Sequence, residues 1–301
     1  MAKILVADGM DKKAAEALRD MGHELVEEHL DVPELKEKLG TFDAIIVRSA
    51  TKIREEVIDA VEGSQLKLMI RAGVGLDNID VAYARERGIA VENTPNASSA
   101  SVAELAIGHM FSLARFLYIS NVTMREGKWN KKAYKGSELA GKTLGLIGFG
   151  RIAKETAKRA HALGMKVMYT NRSGAKEGYA DYAYVDMDTL LAHSDFISLH
   201  IPFAKEVGAV IDTEAFKKMK DGVFIVNCAR GGVVDEDALV EALDTSKVAG
   251  AAIDVFAEEP TKNERLYTHE KVSVTPHIGG STKEAQARIG LEIIEIIKRY
   301  Y

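Results

Sequence analysis

What this chain lacks narrows what it can be. A single cysteine, Cys228, rules out an internal disulfide framework and suits a reducing compartment. Neither sign of charge dominates: 40 lysines and arginines stand against 45 acidic residues, a net charge of −5, so no nucleic-acid partner is expected. A few placed arginines can still hold a small anion, because local charge matters more than the total. No long apolar run is free of charge. The most apolar stretch, residues 101–120, contains Glu104, His109 and Arg115, so no membrane span is expected. Nothing ahead of the first apolar run, Lys3 to Ala7, has the layout of a signal peptide, and the cytoplasm is the expected location. Internal repeats, low-complexity segments and charge tracts are absent too.

At 301 residues the chain has room for two domains with a core each, and 47 % hydrophobic with 28 % charged residues is ordinary for a globular protein. Short apolar runs alternate with helical patterns. Strands are expected at Lys3–Ala7, Asp43–Val47, Lys67–Ile70, Thr143–Ile147, Lys166–Tyr169, Asp195–Leu199, Val223–Val226, Ala249–Ile253 and Val272–Val274. Amphipathic helices are expected between them, as at Lys12–Met21, Arg151–Leu163 and Glu236–Leu243. Continuous apolar strands separated by helices signal parallel sheets covered on both faces. One long helix, expected from about Ser98 to Glu126, breaks the alternation and separates a first sheet from a second beginning near Thr143. The last helix, Lys283 to Arg299, carries Ile289, Ile293, Ile296 and Ile297 on one face and can return to the first domain. The expected fold is α/β: two doubly wound parallel-sheet domains with a cleft between them.

The strongest local motif starts at Gly148: Gly148-Phe149-Gly150-Arg151-Ile152-Ala153 follows a strand and opens a helix. In this pattern the first glycine permits a tight turn and the second lets backbone approach a pyrophosphate. A small third residue lets helix and strand pack closely, and the helix N-terminus offers N–H groups to the phosphates. The residue ending the next strand usually selects the cofactor, an acidic side chain there favouring NAD. This chain has Asn171-Arg172-Ser173 instead. Loss of the acid, a guanidinium and a hydroxyl lean toward the 2′-phosphate of NADP. The alternative is NAD, with Asn171 on the ribose and Arg172 solvated.

Three more segments follow predicted strands on the side where open α/β sheets bind ligands. They are Asn227-Cys228-Ala229-Arg230-Gly231-Gly232, Asp254-Val255-Phe256-Ala257-Glu258-Glu259-Pro260 and Thr275-Pro276-His277-Ile278-Gly279-Gly280. Singly, Arg230, Glu259 and His277 are as ordinary as any loop side chain. Together they fit hydroxy-acid oxidation, which removes a hydride from carbon and a proton from oxygen. His277 suits the proton, since an unperturbed imidazole titrates at about 6.5. Glu259 can hold the other ring nitrogen and stabilise the imidazolium. Arg230 offers a planar fork for a carboxylate. A nicotinamide supplies the hydride chemistry, and no metal is expected.

The chain resembles the D-isomer-specific 2-hydroxyacid dehydrogenases from end to end, most of all their phosphoglycerate dehydrogenase branch. The stretches that carry the resemblance are Val47-Arg48-Ser49-Ala50-Thr51-Lys52, Arg71-Ala72-Gly73-Val74-Gly75-Leu76-Asp77-Asn78-Ile79-Asp80 and Asn93-Thr94-Pro95-Asn96. Gly127-Lys128-Trp129, the Gly148 motif and the Arg230 and His277 segments complete it. It implies that Arg230, Glu259 and His277 are the family's catalytic set. It implies a flavodoxin-like substrate domain, residues 1–95 plus 281–301, around an inserted Rossmann nucleotide domain, residues 96–280. A homodimer built on the helix near Ser98–Glu126 is implied as well. The cofactor is expected along Gly148, Phe149, Gly150, Arg151 and Ile152 and at Asn171, Arg172 and Ser173. Further contacts are expected at Val74, His200, Ile201, Pro202, Cys228, Ala229, Arg230, Asp254, His277, Gly279 and Gly280. The substrate is expected at Arg48, Ser49, Arg71, Ala72, Gly73, Val74, Ser98 and Lys131.

Departures from the family pattern are informative. Ala153 stands for the third glycine, Asn171 for the ribose-binding aspartate, Lys131 for a phosphate-reaching arginine and Ser98 for a substrate-binding asparagine. The chain stops at Tyr301, so no C-terminal regulatory domain is expected. Arg48, Arg71 and Lys131 exceed what one carboxylate needs, which points to a second anion and to 3-phosphohydroxypyruvate. The close rival is a glyoxylate or hydroxypyruvate reductase of the same family, which an NADP-type pocket suits. The distant rival is a cofactor-sensing corepressor on the same fold, against which the complete Arg230, Glu259 and His277 set weighs.

Overall fold

Apolar strands joined through helices pair in parallel, because each crossover returns the chain to the same end of the sheet. Every ladder in this protein is parallel. The structure, a computed structural model, describes residues 1–301 and forms two compact units, Met1–Ser98 with Gly280–Tyr301, and Ser99–Gly279. The chain crosses after Ser98 rather than residue 95 and returns at Gly280 rather than residue 281.

In the first unit β1 (Lys3–Val6), β2 (Glu24–Glu27), β3 (Ala44–Val47), β4 (Leu68–Arg71) and β5 (Ala90–Asn93) pair in the order β2-β1-β3-β4-β5. Four helices connect them: α1 (Lys12–Asp20), α2 (Val32–Lys38), α3 (Glu55–Ala60) and α4 (Val81–Glu86). Strand side chains alternate between two cores, as the period of two requires. Ile45, Val47 and Met69 face one, and Ala44, Ile46 and Leu68 the other. The second core is closed by α1 and by the last helix of the chain, Lys283–Tyr300, whose Ile289, Ile293, Ile296 and Ile297 are all buried there.

The second unit starts with α5 (Ser99–Ala114) and α6 (Leu117–Arg125). Its sheet consists of β6 (Thr143–Ile147), β7 (Lys166–Thr170), β8 (Ala183–Tyr184), β9 (Phe196–Leu199), β10 (Val223–Asn227), β11 (Val248–Ile253) and β12 (Val272–Val274), in the order β12-β11-β10-β9-β6-β7-β8. Helices α7 (Arg151–Ala162), α8 (Met187–His193), α9 (Thr213–Lys218), α10 (Glu236–Asp244) and α11 (Glu264–Tyr267) connect the strands, and the last helix becomes α12. One core lies under α8, α9 and α10, and the other under α5 and α7.

The single helix expected over Ser98–Glu126 is two helices, bent by 64°. Phe116 sits in the left-handed region at φ 54° with its ring on Tyr134, 5.8 Å away. The Ala114 carbonyl, which a continuing helix would use, accepts the Ser137 N–H at 2.9 Å. A side chain at Gly136 would put its Cβ 2.3 Å from that carbonyl, so a distant glycine permits the break. The apolar pattern runs straight through Arg115-Phe116 and gives no sign of it. No single helix is long and apolar enough to cross a membrane.

Candidate active site

The turn from β6 to α7 is shaped by its glycines. Gly148 has φ 90°, and a Cβ there would lie 2.5 Å from the His200 carbonyl oxygen and 2.7 Å from Ile201. Only glycine fits. Gly150 is the N-cap of α7 without any side-chain cap, and a Cβ on it would meet nothing within 4 Å. The mouth of this helix is therefore open, with N–H groups that no side chain takes. Ala153 is fully buried, so α7 lies close on the sheet. These features fit a dinucleotide pyrophosphate. The buried ring of Phe149 stacks on Tyr169 at 3.8 Å, which leaves its backbone for the expected cofactor contact. Arg151 is exposed and Ile152 half-buried.

At the end of β7 the Asn171 amide donates to Ser173 Oγ at 2.9 Å and to the Gly174 carbonyl at 3.3 Å. Its NH₂ is thus spent on the turn itself. Lys176 Nζ reaches the same Ser173 oxygen at 2.8 Å, and the Lys176 N–H is fixed on the Tyr169 hydroxyl at 2.8 Å. Arg172 is exposed. The turn so assembled holds two cations and a hydroxyl. Lys176 was missed in the sequence because it lies past the strand-end triplet usually inspected.

The ends of β9, β10 and β11 carry the remaining groups of this unit. After β9, the His200 ring nitrogen Nε2 lies 3.0 Å from Ser198 Oγ, and burial pushes its pKa down to about 4, so the imidazole is neutral. Ile201 and Pro202 follow it, Ile201 against Gly148. After β10, Cys228 and Ala229 turn their side chains into the cores, and burial pushes the Cys228 thiol far up. Asn227, 2 % exposed, brackets the Arg230 loop: its Oδ1 accepts the Ala229 N–H at 3.0 Å and its Nδ2 donates to the Arg230 carbonyl at 2.9 Å. Its own carbonyl accepts the Asp254 N–H at 3.0 Å, tying this loop to the next. Gly231 approaches that next loop so closely that a Cβ would lie 1.7 Å from the Phe256 carbonyl oxygen.

Glu259 and His277 meet. Nδ1 of His277 lies 2.7 Å from Glu259 Oε2, while Glu259 Oε1 accepts the Phe256 N–H at 3.1 Å. With Nδ1 donating to the carboxylate, Nε2 is left as the working nitrogen. Burial acts to raise the Glu259 carboxyl, but the hydrogen bond and charge of His277, the Phe256 N–H and the nearby Arg230 charge together hold it below its ordinary value. Both side chains are about a third exposed, 36 % for Glu259 and 34 % for His277, so solvent reaches the pair. Asp254 is committed to structure as well as to its expected cofactor contact: Oδ1 accepts the Ile278 N–H and Oδ2 the Gly279 N–H, each at 2.9 Å.

In the first unit Arg48 and Arg71 stand at the ends of adjacent strands, with Val47 paired to Arg71. The Arg48 backbone is pinned by Asp8 Oδ2 and by the Asn78 amide, both at 2.7 Å. Its side chain lines a pocket of about 590 Å³ together with Asp11, Lys13, Ser281, Thr282, Lys283 and Gln286. Lys13 and Lys283 are cations the sequence reading did not single out. The Arg71 guanidinium crosses Gly73, where a Cβ would lie 1.6 Å from Nη1. Ala72 is buried, Ser49 is exposed, and the Val74 carbonyl is held by Asn93 at 2.6 Å. Ser98 is buried beside Gly280. In the second unit Lys131 is exposed in a turn after α6.

Residues 107–279 match the family described as D-isomer specific 2-hydroxyacid dehydrogenase, NAD binding domain. The chain is 49 % identical over 299 residues to a hydroxypyruvate reductase of Thermotoga maritima, covering 98 % of this chain and 97 % of that one. It is 44 % identical over 303 residues to a D-3-phosphoglycerate dehydrogenase of Methanocaldococcus jannaschii, covering 99 % of this chain and 57 % of the relative. The chain therefore spans little more than half the length of that relative. A solved glyoxylate reductase from Paecilomyes thermophila superposes with a TM-score of 0.90 at 34 % identity, covering 98 % of this chain and 94 % of the other.

Proposed function

The chain belongs to the D-isomer-specific 2-hydroxyacid dehydrogenases, nicotinamide-dependent oxidoreductases, and from that premise we propose that it interconverts 3-phosphohydroxypyruvate and D-3-phosphoglycerate. The observation that carries the chemistry is the 2.7 Å contact between Glu259 and His277 beside the Arg230 loop. In the reductive direction Arg230 grips the substrate carboxylate and polarises the neighbouring carbonyl. A nicotinamide cofactor held along Gly148–Ile152 would supply the hydride chemistry at C2. His277 Nε2–H gives its proton to the carbonyl oxygen, which becomes the hydroxyl, and Glu259 stabilises the imidazolium beforehand. Oxidation runs the same proton in reverse. His277→Ala lowers kcat by about 10²–10⁴-fold with cofactor affinity nearly unchanged, the loss of a general acid; near-normal turnover contradicts the assignment.

The phosphorylated substrate is supported by the pocket of Arg48, Lys13 and Lys283, which carries more positive charge than the single carboxylate of Asp11 offsets. Arg48→Ala should erase most of the preference for the phosphorylated acid without comparably slowing the unphosphorylated one. The second reading, hydroxypyruvate or glyoxylate reductase, is favoured by the near full-length similarity to the Thermotoga maritima hydroxypyruvate reductase. Arg172, Ser173 and Lys176 support NADP over NAD. A homodimer through α6 is supported by its apolar exposure: Leu117, Val122 and Met124 face outward, as does Trp129 just beyond. The buried lone cysteine is in keeping with the cytoplasm.

A further inference from the structure

Behind the loop that carries His277 lies a row of buried and half-buried polar side chains that the reaction as proposed does not use. Asp254, 1 % exposed, fixes three consecutive N–H groups: its carbonyl takes that of His277 at 2.8 Å, and its carboxylate takes those of Ile278 and Gly279. Asp254 Oδ1 also accepts the Thr275 hydroxyl at 2.5 Å. A carboxylate only accepts, so the Thr275 proton points to Asp254 and Thr275 Oγ1 is free to accept from elsewhere. His109 Nε2, from α5, lies 3.1 Å away and is the group that reaches it. In a neutral ring with Nε2 protonated, Nδ1 is bare and accepts from Ser273 Oγ at 3.5 Å. Ser273 Oγ in turn lies 3.4 Å from Ser112 Oγ. The carboxylate at the end of the row thus dictates the direction of every hydrogen bond in it. Burial holds His109 below its ordinary value against the pull of the Asp254 charge, which keeps that ring neutral.

The loop has reason to need such support. His277 sits at φ 53°, a left-handed conformation that strains a side-chain-bearing residue. We infer that His109 and Thr275 are positioning residues for proton transfer, holding Asp254, and through it the backbone of residues 277–279, where His277 stays against Glu259. This rests on His277 being the acid–base group. The apolar ends of α5 could be packed without a histidine. Its imidazole brings a donor to the half-buried Thr275 hydroxyl, whose proton is already committed to Asp254.

The test measures reduction of 3-phosphohydroxypyruvate by NADPH across pH in His109→Leu, His109→Gln and His277→Ala. His109→Leu should lower kcat about tenfold or more, the scale of a misplaced catalytic group. It should also move the pH profile of kcat to lower pH, as a loosened Glu259 contact supports the imidazolium less well. A simple loss of folded enzyme would scale the rate without moving the profile. His109→Gln, which carries a donor near the same place, should restore both rate and profile. An unmoved profile, or no rescue by glutamine, overturns the inference. Should His109→Leu fail to fold, Thr275→Val against Thr275→Ser is read by the same criteria. Turnover retained by His277→Ala would instead remove the acid–base assignment itself. An inactive His277→Ala beside a wild-type-like His109→Leu would remove this inference alone.

Discussion

In the proposed mechanism a single side chain, Glu259, makes the site both reactive and pH-sensitive. Its folded pKa is depressed although burial acts the other way, because His277, the Phe256 N–H and Arg230 favour the anion. A depressed carboxyl contributes stability above its unfolded pKa of about 4.3, and that contribution disappears as pH falls through the lower folded value. The stability gap between wild type and Glu259→Gln, measured by urea unfolding, should therefore narrow on acidification. The same variant should move the optimum for keto-acid reduction to lower pH, since glutamine cannot stabilise the imidazolium. At the proposed ribose-binding turn, Arg172→Ala should weaken NADP binding by about 1.5–3 kcal/mol, the scale of a charged hydrogen bond, and barely affect NAD. Asn171→Asp should shift preference toward NAD. Fluorescence titration with NADPH and NADH checks both, and equal losses for the two cofactors would mean that this turn does not discriminate.

Among the elements, α12 is held by a close approach to α1 that only glycine permits. A Cβ at Gly290 would lie 2.6 Å from the Ala14 Cβ. Alanine gains about 1 kcal/mol of helix propensity over glycine, while overpacking costs about 1–3 kcal/mol. Gly290→Ala should therefore lower the unfolding free energy, in contrast to such a change at an uncrowded helix surface; a rise in the urea midpoint would refute the close packing. Elements buried on both faces were legible in the sequence because their apolar runs are continuous. The strands that escaped are β2, β5 and β8, all at sheet edges, where one side meets solvent and polar residues such as Glu24, Glu92 and Asn93 interrupt the pattern. The break at Phe116 escaped because its cause, the approach of Gly136 and Ser137, is tertiary. In the site, Arg230, Glu259 and His277 could be singled out from their loops. Asn227, Lys176 and the His109–Thr275 row could not, because their roles exist only once separate segments are folded together.

At the scale of the whole molecule, the exposed apolar face of α6 and the cationic pocket beside Arg48 make separate claims. Val122→Lys should shift the sedimentation equilibrium toward the monomer if α6 is the dimer contact, and an unchanged mass would place that contact elsewhere. The substrate is the central claim. The most direct test is kcat/KM of the wild-type enzyme for 3-phosphohydroxypyruvate against hydroxypyruvate, each with NADPH and NADH. The account predicts a preference for the phosphorylated acid of at least about tenfold, or roughly 1.4 kcal/mol in the transition state. Equal values, or a preference for hydroxypyruvate, would contradict it and leave the enzyme a reductase of unphosphorylated keto acids.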